Sequence, residues 1–333
     1  MKKVTCIGYH NTGSGAVDDY LREFDCFQFA PSDLEARFLQ DPDGISDLEY
    51  NLVDNWHRLN SGFAIKRFQR FARYYNHTYS LIFGPEWKKQ TDQFINDLIE
   101  FSYSGYWHED IRLQNSFSQI VYLGRRALSK LAPKDKRKTP EYNYFPRLES
   151  YYSHPDRQEF YQLTREFCEK LCKSINTSGA EYVVIDQLVS TTNINRYLNY
   201  INDLKVIIVD RDPRDIYIQH RISGEHVLPL DPVLFSKQFV GLRSSLKNEL
   251  DNSNVIKIQF EDLIYHYDTT TQMINGFLGL NTENHTRKRE LFNPDISVKN
   301  TQMWKNYKQF DSDMTIISEL LCQYLYDFPE DSD

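Results

Sequence analysis

The sequence predicts an α/β protein: a parallel β-sheet flanked by helices, with a long helical insertion. Three observations carry this expectation. The chain opens on a strand, a glycine-bearing loop, a helix and a second strand between Lys3 and Phe29, which is the opening unit of a parallel sheet. Three Val/Ile-rich runs return at 181–186, 204–209 and 254–258. Near-continuous β-branched runs belong to strands covered on both faces. Between the two blocks, residues 33–178 carry apolar positions at three- and four-residue spacing, the period of helices.

Composition supports a chain with its own core. Of 333 residues, 40% are hydrophobic and 26% charged, which excludes a disordered chain. No linker or repeat interrupts it, so a single domain over 1–333 is expected, with 33–178 as the mostly helical insertion and acceptor region. No apolar run reaches the ~18–20 residues of a membrane span. The apolar stretch Val4 to Gly8 after Lys2 and Lys3 is too short for the core of a signal peptide. A cytoplasmic protein without a transmembrane segment is the expectation. The five cysteines are odd in number and scattered, so no disulfide framework is expected. Cys168 and Cys172 share a helix face, but no further ligands stand at zinc-like spacing, so no metal is expected. The net charge of −8 argues against nucleic-acid binding, which needs basic surface.

The elements follow in order. Lys3 to Gly8 reads as a buried strand, Ala16 to Phe24 as a helix, and Phe24 to Phe29 as the next strand. Helical windows follow at 46–57, 60–76, 86–103, 117–131 and 157–174. A polar stretch from Pro133 to Pro146 contains Lys134, Lys136, Arg137 and Lys138, shortly after Arg125 and Arg126. It reads as a solvated loop, or as a mobile cover or contact for an anionic acceptor. Later helices are expected near 193–201, 213–222, 231–251, 270–278 and 313–326.

Chemistry concentrates in four places. Gly8-Tyr9-His10-Asn11-Thr12-Gly13-Ser14-Gly15 joins a strand to a helix. Such a loop aims backbone N–H groups and a helix N-terminus at one point, a site for phosphate. Gly13 and Gly15 permit close approach, and Thr12 and Ser14 add hydroxyls. The loop departs from the ATPase pattern G-x-x-x-x-G-K-[ST]: Ser14 stands where Lys belongs, and Gly15 where Ser or Thr belongs. A purely structural tight turn remains the alternative. Second, Val206 to Val209 leads into Asp210-Arg211-Asp212-Pro213-Arg214-Asp215. Arg211 stands at the carboxyl end of a strand, where open α/β sheets bind ligands, and its planar fork suits phosphate. A network of Arg211 or Arg214 with Asp212 or Asp215 is the structural alternative. Third comes Phe260-Glu261-Asp262-Leu263 with Phe277-Leu278-Gly279-Leu280. Fourth, Ser297-Val298-Lys299-Asn300 precedes Trp304-Lys305.

In this order the four segments resemble the sulfotransferase superfamily of bacterial type, over roughly 1–30 and 181–308. The resemblance implies a P-loop-like fold that binds 3′-phosphoadenylyl sulfate (PAPS) and releases adenosine 3′,5′-bisphosphate. It implies donor contacts from Asn11, Thr12, Gly13, Ser14, Gly15 and Ala16 at the 5′-phosphosulfate. Arg211 and Lys299, with Gln219 as a weaker partner, would serve the 3′-phosphate, and Asn300 would belong to the C-terminal cofactor loop. The third segment looks like the family's structural strand–helix signature. Two departures stand out. Asn11 occupies the place of a frequent Lys or Arg in the first loop, and Gln219 that of a frequent Ser. With the loop cation missing, His10 is the candidate catalytic group, as base or as cationic aid to the leaving group. Alternative bases lie in the insertion: His57, His108, Glu109 and Asp110. The resulting expectation is a sulfotransferase acting on a hydroxyl, on a saccharide or saccharide-lipid. The rivals are another P-loop phosphotransferase or kinase using ATP, and a non-catalytic nucleotide-binding protein.

Overall fold

The computed structural model describes residues 1–31, 34–105, 107–131, 133–134, 136, 148–225, 227–244 and 249–329. The first part of the chain comprises β1 (Lys2–Gly8), α1 (Ser14–Leu21), β2 (Phe27–Phe29), α2 (Ile45–Glu49), α3 (Asn60–Tyr74), α4 (Asn76–Phe83), α5 (Glu86–Leu98), β3 (Phe101–Gly105), α6 (Ser116–Ser129), β4 (Leu148–Tyr152) and α7 (Arg157–Ile175). The remainder comprises β5 (Tyr182–Val184), α8 (Ile194–Tyr197), β6 (Leu204–Asp210), α9 (Pro213–Ser223), α10 (Pro232–Ser244), β7 (Val255–Gln259), α11 (Asp262–Tyr265), α12 (Tyr267–Leu278), α13 (Pro294–Ser297) and α14 (Asp311–Leu320). The chain forms two compact units: Met1–Arg37 with Cys172–Asp333, and Phe38–Leu171.

The first unit holds a parallel five-stranded sheet in the order β2-β5-β1-β6-β7. The Val/Ile runs form it because it is covered on both faces: Val206 through Val209 are all buried. Alternation divides their side chains. Val4, Cys6, Ile207 and Val209 pack with Val17, Tyr20 and Leu21 of α1 and with Ile274 and Leu278 of α12. A second cluster joins Ile216 and Ile218 of α9 to Phe235 and Phe239 of α10 and Met314 and Ile317 of α14. Burying each such side chain contributes roughly 1.5–3 kcal/mol. Cys6, Cys168 and Cys172 are buried, as small apolar groups are.

The second unit is mostly helical. Its core is aromatic: Trp87 meets Phe38, Tyr79, Phe83 and Phe167 at ring-centroid distances of 5.5, 4.5, 6.0 and 6.1 Å. It also holds an antiparallel pair, β3 with β4, where the sequence reading carried a helix through residue 103. The helix stops at Leu98, and Ile99 is extended, at φ −89° and ψ 113°. Phe101-Ser102-Tyr103-Ser104 then alternates with the period of a strand, and Phe101 stacks on Tyr152 at 4.7 Å. The helix expected over 46–57 is α-helical only from Ile45 to Glu49 and widens into a π-turn over Tyr50–Asp54. Arg137 and Lys138, and residues 245–248 of the expected 231–251 helix, lie outside the described residues. Among the described residues no helix is long and apolar enough to cross a membrane.

Candidate functional site

β1 and β6 are neighbours in the sheet, with Gly8 in register with Val209. The loop after β1 and the turn after β6 therefore leave the sheet side by side at its carboxyl edge. This is where ligands bind in open parallel sheets.

The loop is shaped from within. The Tyr9 N–H donates to Thr12 Oγ1 at 3.2 Å, which buries the Thr12 hydroxyl. A Cβ on residue 8 would lie 2.0 Å from that oxygen, so Gly8 admits the inward threonine. Gly13 is needed twice: its φ is +87°, and a Cβ there would lie 2.5 Å from Phe260 Cδ2. His10 and Asn11 also have positive φ, 78° and 54°, a strain that non-glycine residues tolerate only when the surroundings enforce it. The Ser14 hydroxyl accepts from Gln187 Nε2 at 3.0 Å.

This shape leaves donors unused. Among the described residues, the backbone N–H groups of His10, Asn11, Thr12 and Gly13 have no backbone acceptor. The first N–H groups of α1, from Ser14 and Gly15, lack intrahelical partners by geometry. Asn11 Nδ2 is buried without a partner. Gly15 is exposed, with open space around it, and Ala16 follows in the first turn. Unsatisfied donors gathered at a helix start fit an anion such as a phosphate.

The turn after β6 is tied to this loop. Arg211 is only 6% exposed. Its Nη1 donates to the Asn11 carbonyl at 2.9 Å and its Nη2 to the Asn300 carbonyl. Nη2 also lies 3.2 Å from Met303 Sδ, and Nε is buried without a partner. Burial lowers the pKa of the guanidinium, against the opposing pull of Asp215, Glu261 and Asp212. One residue, Arg211, thus joins the first loop, the strand end and the C-terminal segment. Lys299 is exposed and is not bonded to Arg211. Gln219 is half-buried on α9; among the described residues it makes no bond to Arg211 or Lys299.

The acids around Arg211 act mainly as braces. Asp212 caps α9 through the Arg214 N–H at 2.8 Å and holds the Arg214 guanidinium at 2.9 and 2.7 Å. Arg214 also lies over the Trp304 ring, 4.4 Å from its centroid. For Arg214, then, the ion-pair alternative is the one formed. Glu261 Oε1 accepts the Asp212 N–H at 2.9 Å, and burial pushes its carboxyl up to about 8. Asp215 accepts the Gln302 N–H at 2.8 Å and is pushed by burial up to about 6. Burial also pushes Asp210 up, but Arg243 and Lys257 outweigh it and hold the carboxyl below its ordinary value.

His10 has partners that sequence reasoning missed. Its Nε2 lies 2.9 Å from Glu225 Oε2. Its ring meets that of His220 edge-on at 6.3 Å. His220 is fully buried, and its Nε2 lies 2.7 Å from the Leu228 carbonyl. A carbonyl only accepts, so that nitrogen carries the proton and Nδ1 is left without a partner. Ligand atoms of His10, His220 and Glu225 lie within 4.8 Å of one another, a grouping that could take one cation. No spacing rule points to Glu225, which follows the glycine that ends α9. Of the other candidate bases, all in the second unit, Asp110 is buried and paired with Lys66 at 2.9 Å. Glu109 is paired with His108 at 3.0 Å and Arg112 at 2.8 Å, and His57 is exposed.

No protein-family model matches the chain, and no curated protein matches it. Among solved structures, the chain is similar to a sulfotransferase from Alicyclobacillus acidocaldarius, at 11% identity over 97% of this chain and 96% of that one, with a TM-score of 0.35. It is similar to sulfotransferase STF9 from Mycobacterium avium at 8% identity, over 98% of this chain and 77% of that one, with a TM-score of 0.37. Likenesses this distant carry no argument about activity. The α/β architecture rests on the parallel sheet itself.

Proposed function

We propose that the protein is a cytoplasmic sulfotransferase, moving a sulfuryl group from 3′-phosphoadenylyl sulfate to a hydroxyl of a saccharide or saccharide-lipid. The observation that carries the reading is the cradle of unpartnered donors in 10–15, beside the Arg211 turn and without the lysine of an ATP-binding loop. The donor's 5′-phosphate would lie against the free N–H groups of Asn11 to Gly15. Arg211 would face the 3′-phosphate, with Lys299 closing over it and Gln219 as a weaker donor.

In this reading the acceptor oxygen forms a bond to sulfur as the bond from sulfur to the bridging phosphate oxygen breaks. The acceptor proton passes to His10, and the electron pair of the broken bond stays with the departing bisphosphate. His10 is the titratable side chain of 10–15, and Glu225 Oε2 lies 2.9 Å from its Nε2, where it could orient the ring. Such orientation is what a carboxylate provides to a catalytic imidazole. The loop N–H groups would stabilise charge on the leaving oxygen, as fixed donors do.

The test is ligand-dependent thermal unfolding. A ligand bound only by the folded chain stabilises it by about 2.7 kcal/mol at 100 Kd, so saturating adenosine 3′,5′-bisphosphate should raise the Tm by several degrees. ATP with Mg²⁺ should do much less. An equal or larger shift with ATP would support the phosphotransferase reading instead. Bisphosphate binding without turnover on any hydroxyl acceptor would leave a nucleotide-binding protein.

A further inference from the structure

We propose that α6, Ser116–Ser129, is a membrane-surface element that lays an apolar face onto an anionic lipid bilayer. This inference concerns the second unit alone and does not depend on the proposed sulfuryl transfer.

The helix is amphipathic, yet it turns its apolar face outward. No residue of α6 is buried. Phe117 is 74% exposed, Ile120 67%, Leu128 67%, and Leu131 just beyond the helix 82%. Val121 and Leu123 are exposed as well. At about 100° per residue, Leu123, Ala127, Ile120, Leu131, Gly124, Phe117, Leu128 and Val121 fall on one arc of roughly 160°. The half-buried side chains of the helix are Ser118, Gln119, Tyr122 and Ser129, and they lie on the opposite side. The usual arrangement of a surface helix, apolar inward and polar outward, is reversed.

Charge decides what covers this face. From Ile111 to Lys134 the chain contains no Asp or Glu, although the whole protein carries a net charge of −8. Arg125 borders the apolar arc on one side and Lys130 on the other, with Arg126 behind and Lys134 beyond the C-terminal end. Arg125, Arg126, Lys130 and Lys134 are exposed. A second copy of the chain docking through this face would bring these cations against their own kind. An anionic bilayer neutralises them while taking up the apolar side chains, with the long stems of the cations reaching back to the headgroups. The helix has the pattern of an element lying in the interface plane, not one that crosses it.

The test is flotation of the full chain with vesicles of phosphatidylcholine alone or mixed with phosphatidylglycerol, across a salt series. The chain should float with the mixed vesicles, bind far less to phosphatidylcholine alone, and release as salt rises. Phe117→Ser with Leu128→Ser should weaken binding by roughly 100-fold. Arg125→Glu with Arg126→Glu should weaken it by at least ~20-fold. Because these side chains are exposed, both variants should keep the wild-type Tm, which separates loss of binding from loss of fold. Equal binding to both vesicle types, or unchanged binding by both variants at unchanged Tm, would overturn the proposal. So would a wild-type dimer that Phe117→Ser dissociates, with no vesicle affinity.

Discussion

Arg211 and Asn11 stand 200 residues apart in sequence and are joined by a 2.9 Å hydrogen bond from the guanidinium to the loop carbonyl. That bond satisfies the Asn11 carbonyl, while among the described residues the N–H groups of residues 10 to 13 have no backbone acceptor. Arg211 thereby shapes the loop besides supplying charge. Both roles can be separated by measurement.

Arg211→Ala is expected to weaken adenosine 3′,5′-bisphosphate by roughly 10- to 150-fold, the loss of a charge-assisted contact. Adenosine 5′-phosphate, lacking the 3′-phosphate, should weaken much less. Calorimetric titration of both ligands checks this. Equal losses would assign Arg211 to loop shape alone.

Gly13→Ala should destabilise the chain by about 2–4 kcal/mol, from the left-handed backbone and the clash with Phe260. Pairing it with Phe260→Ala should show coupling, because the steric part disappears once the ring is gone. Denaturant unfolding of the two single variants and the double variant measures it. Strict additivity would show that Phe260 does not press on the loop.

Glu261 predicts a pH dependence with a definite sign. Its carboxyl is pushed up to about 8 from an ordinary value of 4.5, so the folded chain holds the proton more tightly than the unfolded chain. The stability this contributes is full below about 4.5 and is lost as pH rises through about 8. Glu261→Gln keeps an acceptor for the Asp212 N–H but cannot ionise. Unfolding midpoints of wild type and variant between these limits should converge at low pH and separate at high pH. A constant gap would mean that Glu261 is already ionised in the folded chain.

His10→Ala should lower turnover by about 10²–10⁴-fold with bisphosphate affinity intact, the contribution of a positioned acid–base group. Glu225→Gln should lower it less and alter the pH–rate profile, since it acts through the imidazole. Turnover within a few-fold of wild type for His10→Ala would move the search for the base to residues 50–160.

Much of the sheet and of its first loop was legible because it is written in local patterns. The Val/Ile runs are strands, and Gly8 to Gly15 is the loop between a strand and a helix. What escaped depends on distance. Gln187 reaches Ser14 from the turn after β5, and Glu225 reaches His10 from a loop; neither has a local signature. Phe101 to Gly105 escaped differently, because a five-residue alternation beside a long helical period is weak until its partner strand is known. The burial of Arg211 was also invisible, since a strand-end arginine looks alike in sequence whether it faces solvent or two carbonyls.

The pairing of Gly8 with Val209 has an evolutionary consequence. The two segments proposed to hold the nucleotide are neighbours through the sheet, whatever intervenes along the chain. The entropy of closing so long an excursion changes only slowly with its length, by about 0.6 kcal/mol per doubling. Residues between β2 and β5 can be lengthened, shortened or exchanged with little penalty at this edge of the sheet. A new binding surface can therefore be acquired as a cassette while the loop after β1 and the turn after β6 stay in place.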